Sequence, residues 1–261
     1  MCIFSLEKMN KITLDGFKLS NLNKLEALEM LLGFCLKSTK QQTVITPNLH
    51  FLSEADKKPM LKKLINEASI QLPDGKPLIW ASKLLKHPLK ERITGSDIFT
   101  EFLPIAHANS LRLFIVGGQN GSIKRAIKKM KQEYPHITCE GFEPPFTDID
   151  NYPNDEIIEK INAFKPHMVF VAIGFPKQDF WIKNYGNKTN AKVLMSVGAS
   201  LEFYLNDIKR APIWMQKTGL EWLFRLLLEP KRLFKRYLQS GIYFLKLVFK
   251  IVRANTCCAE K

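Results

Sequence analysis

The chain of 261 residues has no run of 18 or more uncharged apolar residues, which argues against a membrane-spanning helix. Its first residues, MCIFSLEKMNKITLDG, lack the basic stretch, the long apolar run and the small-residue cleavage site of a secretory leader. The protein is therefore expected to stay in the cytoplasm. Cysteine is scarce: Cys2, Cys35, Cys139, Cys257 and Cys258 make an odd count with no Cys-x-x-Cys spacing, so free thiols are expected rather than a disulfide framework. The terminal Cys-Ala-Glu-Lys carries a charge that makes it a poor prenylation signal. His50, His87, His107, His136 and His167 are scattered without His-x-x-x-His or His-Glu spacing, so no metal site is expected. The absence of Gly-x-Ser-x-Gly disfavours a serine hydrolase of that type. No internal repeat or low-complexity segment stands out.

What is present is ordinary for a globular protein: 46% hydrophobic and 25% charged residues, which excludes disordered, collagen-like and coiled-coil chains. The formal net charge of +14 is unevenly placed. Residues 209–261 carry 12 Lys/Arg against 3 Asp/Glu, whereas the first 208 carry 27 against 22. A basic tail on a nearly balanced body points to an anionic partner. No helix-turn-helix, zinc-finger or RNP pattern supports a nucleic-acid partner. The segment from Leu220 to Arg253 is apolar as well as basic, and Pro230 divides it into two helices. In the second, Arg232, Arg236, Gln239, Lys246, Lys250 and Arg253 share one face, and Leu233, Tyr237, Phe244, Leu247 and Ile251 another. With almost no acidic neighbours for its cations, such a helix suits a membrane interface. An amphipathic helix packed on the body is the alternative.

The body alternates short strands and helices. Lys11–Leu19 reads as two strands around Asp15-Gly16, and Asn21 as the cap of a helix over 22–37. Strands follow at 43–45, 70–72, 111–116, 168–173 and 193–197, with helices at 54–68, 77–85, 122–134 and 157–164. This order predicts an α/β three-layer sandwich with a Rossmann-like parallel sheet and a basic amphipathic helical C-terminal appendage. Residues 1–205 are expected to form the catalytic core and 206–261 the membrane-associating appendage. Ligands of such sheets sit at the carboxyl ends of the strands. Thr46-Pro47-Asn48, Asp74, Gly117–Gly121, Gly174–Gln178 and Gly198 all lie there.

Each of these has a plain structural reading beside the functional one. Gly117-Gly118-x-x-Gly121 before a helix can present backbone N–H groups to phosphate, or simply make a tight turn. Asp74 between Pro73 and Gly75 can act as a general base or be a turn residue. Asp148-Ile149-Asp150 matches the Asp-x-Asp spelling of metal–diphosphate sites, but its polar, proline-rich surroundings favour a solvated loop. Arg225, Arg232 and Arg236 can grip a diphosphate or form a solvated basic face.

Taken together, the loops resemble the WecG/TagA/CpsF family of bacterial glycosyltransferases. The resemblance rests on Thr46-Pro47-Asn48, Pro73-Asp74-Gly75, Glu91-Arg92 with Gly95-Ser96-Asp97, Val116-Gly117-Gly118 and Gly174-Phe175-Pro176-Lys177-Gln178. It continues through Arg210-Ala211-Pro212, Gly219-Leu220-Glu221-Trp222 with Arg225, and Glu229-Pro230-Lys231-Arg232. Asp179 stands where the family usually has Glu, and Asn206 where Gly is expected.

The resemblance implies an inverting transferase with no cofactor and no evident metal requirement. It would move a hexosamine, typically N-acetylmannosamine or its uronic acid, from a UDP-sugar to polyprenol-diphosphate-linked N-acetylglucosamine. Products of this kind feed wall teichoic acid, enterobacterial common antigen, capsule or exopolysaccharide. It implies Asp74 as general base and Arg225, Arg232 and Arg236 as cationic partners of the departing UDP. Thr46, Asn48, Arg92 and Gln178 would orient the sugars and diphosphate, with Gly117, Gly118, Gly174 and Lys177 in the substrate-binding loops. The partners would be the UDP-sugar donor, the lipid-linked acceptor and the inner face of the cytoplasmic membrane. Oligomeric state is left open, a homo-oligomer included. Competing readings are a nucleotide-dependent oxidoreductase, a nucleic-acid-binding protein, and a non-catalytic membrane-associated protein that binds nucleotide or lipid-linked sugar. A transferase of a different sugar is a further one.

Overall fold

Consecutive apolar residues at 113–116 and 168–171 require a strand covered on both faces, and every one of them is buried. The computed structural model describes residues 9–85 and 88–259. It opens with a hairpin, β1 (Lys11–Leu14) and β2 (Phe17–Ser20). Asp15 and Gly16 link them at φ 50° and 77°, as a two-residue turn between twisted strands requires. Then come α1 (Lys24–Lys37), β3 (Gln42–Ile45), α2 (Leu49–Ala55), α3 (Pro59–Glu67), β4 (Ile70–Gln71), α4 (Lys76–Ser82) and α5 (Gly95–Ala108). The second half holds β5 (Arg112–Gly117), α6 (Ser122–Glu133), β6 (Thr138–Phe142), α7 (Asn154–Phe164), β7 (Met168–Ala172), α8 (Lys177–Tyr185), β8 (Val193–Ser196) and α9 (Ser200–Tyr204). Strands β3 to β8 form one parallel sheet in the order β4-β3-β8-β7-β5-β6.

Alternation along the strands sends Leu113, Ile115, Met168 and Phe170 into a core with α1, α5 and α6. Phe114, Val116, Val169 and Val171 enter a second core with α7 and α8. This is the expected three-layer α/β sandwich.

Several local expectations need correction. The single helix over 54–68 is two, because Pro59 cannot continue α2 but opens α3. Helix α1 starts at Lys24 under Asn23, which forms a reciprocal capping box with Glu26; Asn21 is not the cap. Glu91–Asp97 is only partly loop: Thr94 caps α5, which starts at Gly95. Asn206, where glycine was expected, lies at φ 61°. Asparagine is the non-glycine residue that best tolerates this left-handed conformation. Cys35 and Cys139 are buried free thiols, and burial pushes each up to about 12. Cys2, His87 and the side chains of Cys257 and Cys258 lie outside the described residues.

The tail comprises α10 (Ile213–Thr218), α11 (Glu221–Leu228) and α12 (Pro230–Ala259). Pro230 opens the last helix, as expected. Leu233, Tyr243, Leu247 and Ile251 of α12 are buried, the last three in a third core with the hairpin, α2, α3 and α4. Tyr243 and Lys250 reach Asp15 at 3.2 and 3.0 Å. The apolar face expected to meet lipid is therefore largely the one that packs on the body, and Lys250 has an acidic partner. A second apolar row is exposed: Phe234, Leu238, Ile242, Leu245, Phe249 and Val252, between 48% and 70% accessible. At 3.6 residues per turn it lies roughly 160° round the helix from the buried row. Among the described residues, no helix is long and apolar enough to cross a membrane.

Candidate active site

The ends of β3 and β4 are stitched together by backbone. Asp74 N–H donates to the Pro47 carbonyl and Ile93 N–H to the Pro73 carbonyl, both at 2.9 Å. Gly75, at φ 117°, turns the chain into α4. Asn48 caps α2, its Oδ1 accepting from the N–H groups of His50 and Phe51 at 3.0 and 3.2 Å. These connections gather Asn48, His50, Asp74, Arg92, Thr94 and Ser96 around a cavity of about 350 Å³. The tail supplies its other wall, including Arg210, Glu221, Trp222, Arg225, Arg236 and Tyr237. Gly219 allows the close approach: at φ 85° it ends α10, and a Cβ there would sit 2.9 Å from the Trp80 ring.

Four charges lock that wall to the body. Arg92 lies 3.3 Å from Glu221 and 3.7 Å from Asp97, and Arg210 lies 2.7 Å from Asp97 and 3.6 Å from Glu221. Two cations and two anions therefore neutralise one another. Asp74 stands beside this cluster without a hydrogen bond to its carboxylate among the described residues. Burial pushes its pKa up to about 7, with Arg92 opposing and Glu221 adding to the rise.

Arg225 and Arg236 have no carboxylate partner among the described residues. Arg225 lies over the Phe203 ring at 5.7 Å, and the Arg236 Nε is buried and unpartnered. Burial lowers the Arg236 pKa, and Arg225 and Arg232 lower it further. Two unpaired guanidinium groups in a cavity form a site for an anion with several oxygens. Arg232, grouped with them on sequence, does not line this cavity; it is bound to Glu229 and largely exposed.

The other candidates divide. Gly118, Gly174 and Lys177 line a second cavity of about 180 Å³ over the ends of β5, β7 and β8. The buried, unpartnered Glu202 Oε2 belongs to a residue lining it. Lys177 already holds the Thr147 carbonyl and Asp148 at 2.8 and 2.9 Å. Gly117 lines neither cavity; a Cβ there would lie 2.3 Å from the Ala172 carbonyl oxygen, so glycine is needed for β5–β7 packing. Gln178 is buried, its Oε1 accepting from Gly198 N–H at 2.9 Å, so it fastens one strand-end loop to another. Thr46 is buried beneath Gly95. Asp179 is buried with both oxygens unpartnered, and its pKa is pushed up to about 7 by burial.

His50, Arg210, Glu221, Trp80, Trp222 and Tyr237 complete the main cavity and were not among the sequence candidates. Arg210, Glu221 and Trp222 stand in the motifs that carry the family resemblance, and Glu221 is also one of only three acidic residues in the basic tail. Among the described residues, no cluster of three or more His, Cys, Asp or Glu side chains could hold a metal ion.

Residues 12–256 match the family described as "Glycosyl transferase WecG/TagA/CpsF family". The chain is 33% identical over 224 residues, 85% of this chain and 87% of the relative, to a protein of Staphylococcus aureus strain NCTC 8325 / PS 47. That relative is named N-acetylglucosaminyldiphosphoundecaprenol N-acetyl-beta-D-mannosaminyltransferase. A protein of the same name from S. aureus strain MRSA252 is 34% identical over the same coverage.

Proposed function

The chain belongs to the WecG/TagA/CpsF family of glycosyl transferases, and from that premise we propose how its cavity moves a sugar. It is a glycosyltransferase. The donor is a UDP-linked hexosamine, N-acetylmannosamine or its uronic acid, and the acceptor is polyprenol-diphosphate-linked N-acetylglucosamine. The observation that carries the reading is a carboxylate that, among the described residues, has no hydrogen-bond donor and shares one cavity with two arginines lacking a carboxylate partner. Asp74 takes the proton of the attacking acceptor hydroxyl. The hydroxyl oxygen bonds to the anomeric carbon of the donor as the bond from that carbon to the diphosphate breaks, and UDP leaves with the bonding pair. A base whose pKa lies near the working pH suits this step. Arg225 and Arg236 stabilise the charge that develops on the departing diphosphate. Asn48 and Arg92 orient the sugars, and the second cavity, with Gly118, Gly174 and Lys177 at its edge, takes the nucleoside end.

Residues 1–205 act as the catalytic core, and the appendage from 206 onward completes the cavity while seating the enzyme on the inner face of the cytoplasmic membrane. The support is the exposed row from Phe234 to Val252, flanked by Lys231, Lys235, Lys246 and Arg253. An apolar row bordered by cations lies well at the surface of an anionic membrane.

The test is UDP release from a panel of UDP-sugars with a lipid–diphosphate–N-acetylglucosamine acceptor. Acceptor-dependent release from a UDP-hexosamine is the expected result. Tight donor binding without release under every pairing would instead identify a non-catalytic binding protein.

A further inference from the structure

A third cavity lies outside the catalytic one. It is a groove of about 470 Å³ between α2, the loop before α8, and α12. Leu61, Phe175 and Phe180 give it apolar walls, and Lys57, Lys58 and Lys235 give it a basic rim. Glu54 is its one carboxylate, 3.3 and 3.7 Å from Lys57 and Lys58, so the rim keeps an excess of positive charge. His50 lines both this groove and the catalytic cavity, and its Nδ1 is buried without a partner. Leu238 of the exposed apolar row follows Lys235 by three positions, so the rim and that row are neighbours on one helix face.

Resting on the transferase reading, we propose that this groove binds the diphosphate and the first isoprene units of the lipid-linked acceptor. The reaction brings two diphosphates to one protein, and the catalytic cavity and this groove each carry a cationic cluster. Arg225 and Arg236 lie inside the catalytic cavity, where the donor must break. The lysine rim lies beyond His50, on the side that opens toward the lipid-facing row. A ligand that is anionic at one end and polyisoprenoid at the other fits a groove with a basic rim and aromatic walls. Its sugar would enter past His50 to reach Asp74, and its chain would leave along α12.

The experiment compares two acceptors with the same N-acetylglucosamine-diphosphate head, one on a long polyprenyl chain and one on a methyl group, at fixed donor. Wild-type turnover is measured first. If neither acceptor turns over, the transferase reading fails and this inference falls with it. Given turnover, Phe180→Ser is expected to raise KM for the polyprenyl acceptor about tenfold and leave KM for the methyl acceptor within twofold. The surface triple variant Lys57→Gln/Lys58→Gln/Lys235→Gln is expected to raise KM for both acceptors about tenfold, with KM for the donor unchanged. Wild-type acceptor KM in both variants overturns this inference while leaving the transferase reading intact. So does an equal effect of Phe180→Ser on the two acceptors. If the substitutions convert an oligomer to a monomer in light scattering without altering the chain-length dependence, the groove is a contact between copies and the proposal is overturned.

Discussion

Replacing Asp74 by asparagine separates what the carboxylate does from what it costs. Burial raises its pKa from 3.8 to about 7, and among the described residues no hydrogen bond holds the charged form. Between about pH 4 and pH 7 the folded protein therefore keeps a proton that the unfolded chain has released. Because the native state binds more protons there, stability falls as pH rises through that window and stays lowered above it. The change from 3.8 to about 7 corresponds to about 4 kcal/mol. Asp74 is only partly buried, which reduces the figure to about 2–3 kcal/mol. Asparagine has nearly the same shape and no charge to desolvate.

Asp74→Asn should therefore match the wild type in melting temperature near pH 4.5 and exceed it by about 4–6 °C at pH 8, taking roughly 2 °C per kcal/mol for a chain of this size. The same substitution should lower kcat by about 10²–10⁴. Wild-type log kcat/KM should climb with unit slope and level off near pH 7. Circular dichroism melts from pH 4.5 to 8.5 and UDP release on the same samples measure all three. A variant less stable than wild type at pH 8 would show that Arg92 holds the charged carboxylate, against the burial argument. A variant keeping more than a tenth of wild-type kcat would place the base elsewhere.

Four further outcomes follow from the tail. Arg225→Ala and Arg236→Ala should each cost about 10²-fold in kcat, less than multiplicatively when combined, whereas Arg232→Ala, already bound to Glu229, should stay within threefold in steady-state kinetics. Glu221→Ala leaves Arg92 and Arg210 sharing Asp97 alone; a loss of about 1–3 kcal/mol in urea unfolding and faster tryptic cleavage at Arg210 are expected. Leu238→Glu/Ile242→Glu/Phe249→Glu should abolish sedimentation with anionic vesicles and leave the melting temperature within about 2 °C. Leu247→Ala should do the reverse, because Leu247 is fully buried and its truncation costs about 2–5 kcal/mol.

The contrast between Leu247 and Leu238 also marks what the sequence could reveal. The parallel sheet was legible because continuous apolar runs such as Met168–Ala172 admit only a strand covered on both sides. The main cavity was legible in outline because the loops carrying Asn48 and Asp74 follow the ends of β3 and β4, whereas the segment carrying Arg92 and Thr94 joins two helices. Helix α12 was harder. Its periodicity yields two apolar rows, and nothing local says which meets the body. That choice is made by distant partners: Asp15 in the hairpin captures Tyr243 and Lys250 and sets the rotation of the helix. The same rotation decides the arginines. Arg232 and Arg236 are one turn apart on one face, yet Glu229 draws the first outward while the second faces His50 and Asp74 in the cavity. Turning α12 about its axis so that each residue takes its successor's place would put Lys246 and Lys250 against the hairpin core and shift Arg236 from its place in the catalytic cavity. On the proposed reading, exposure of the apolar row and delivery of Arg236 to the donor both follow from one rotational setting of one helix, which the contact between Asp15 and the tail helps to fix.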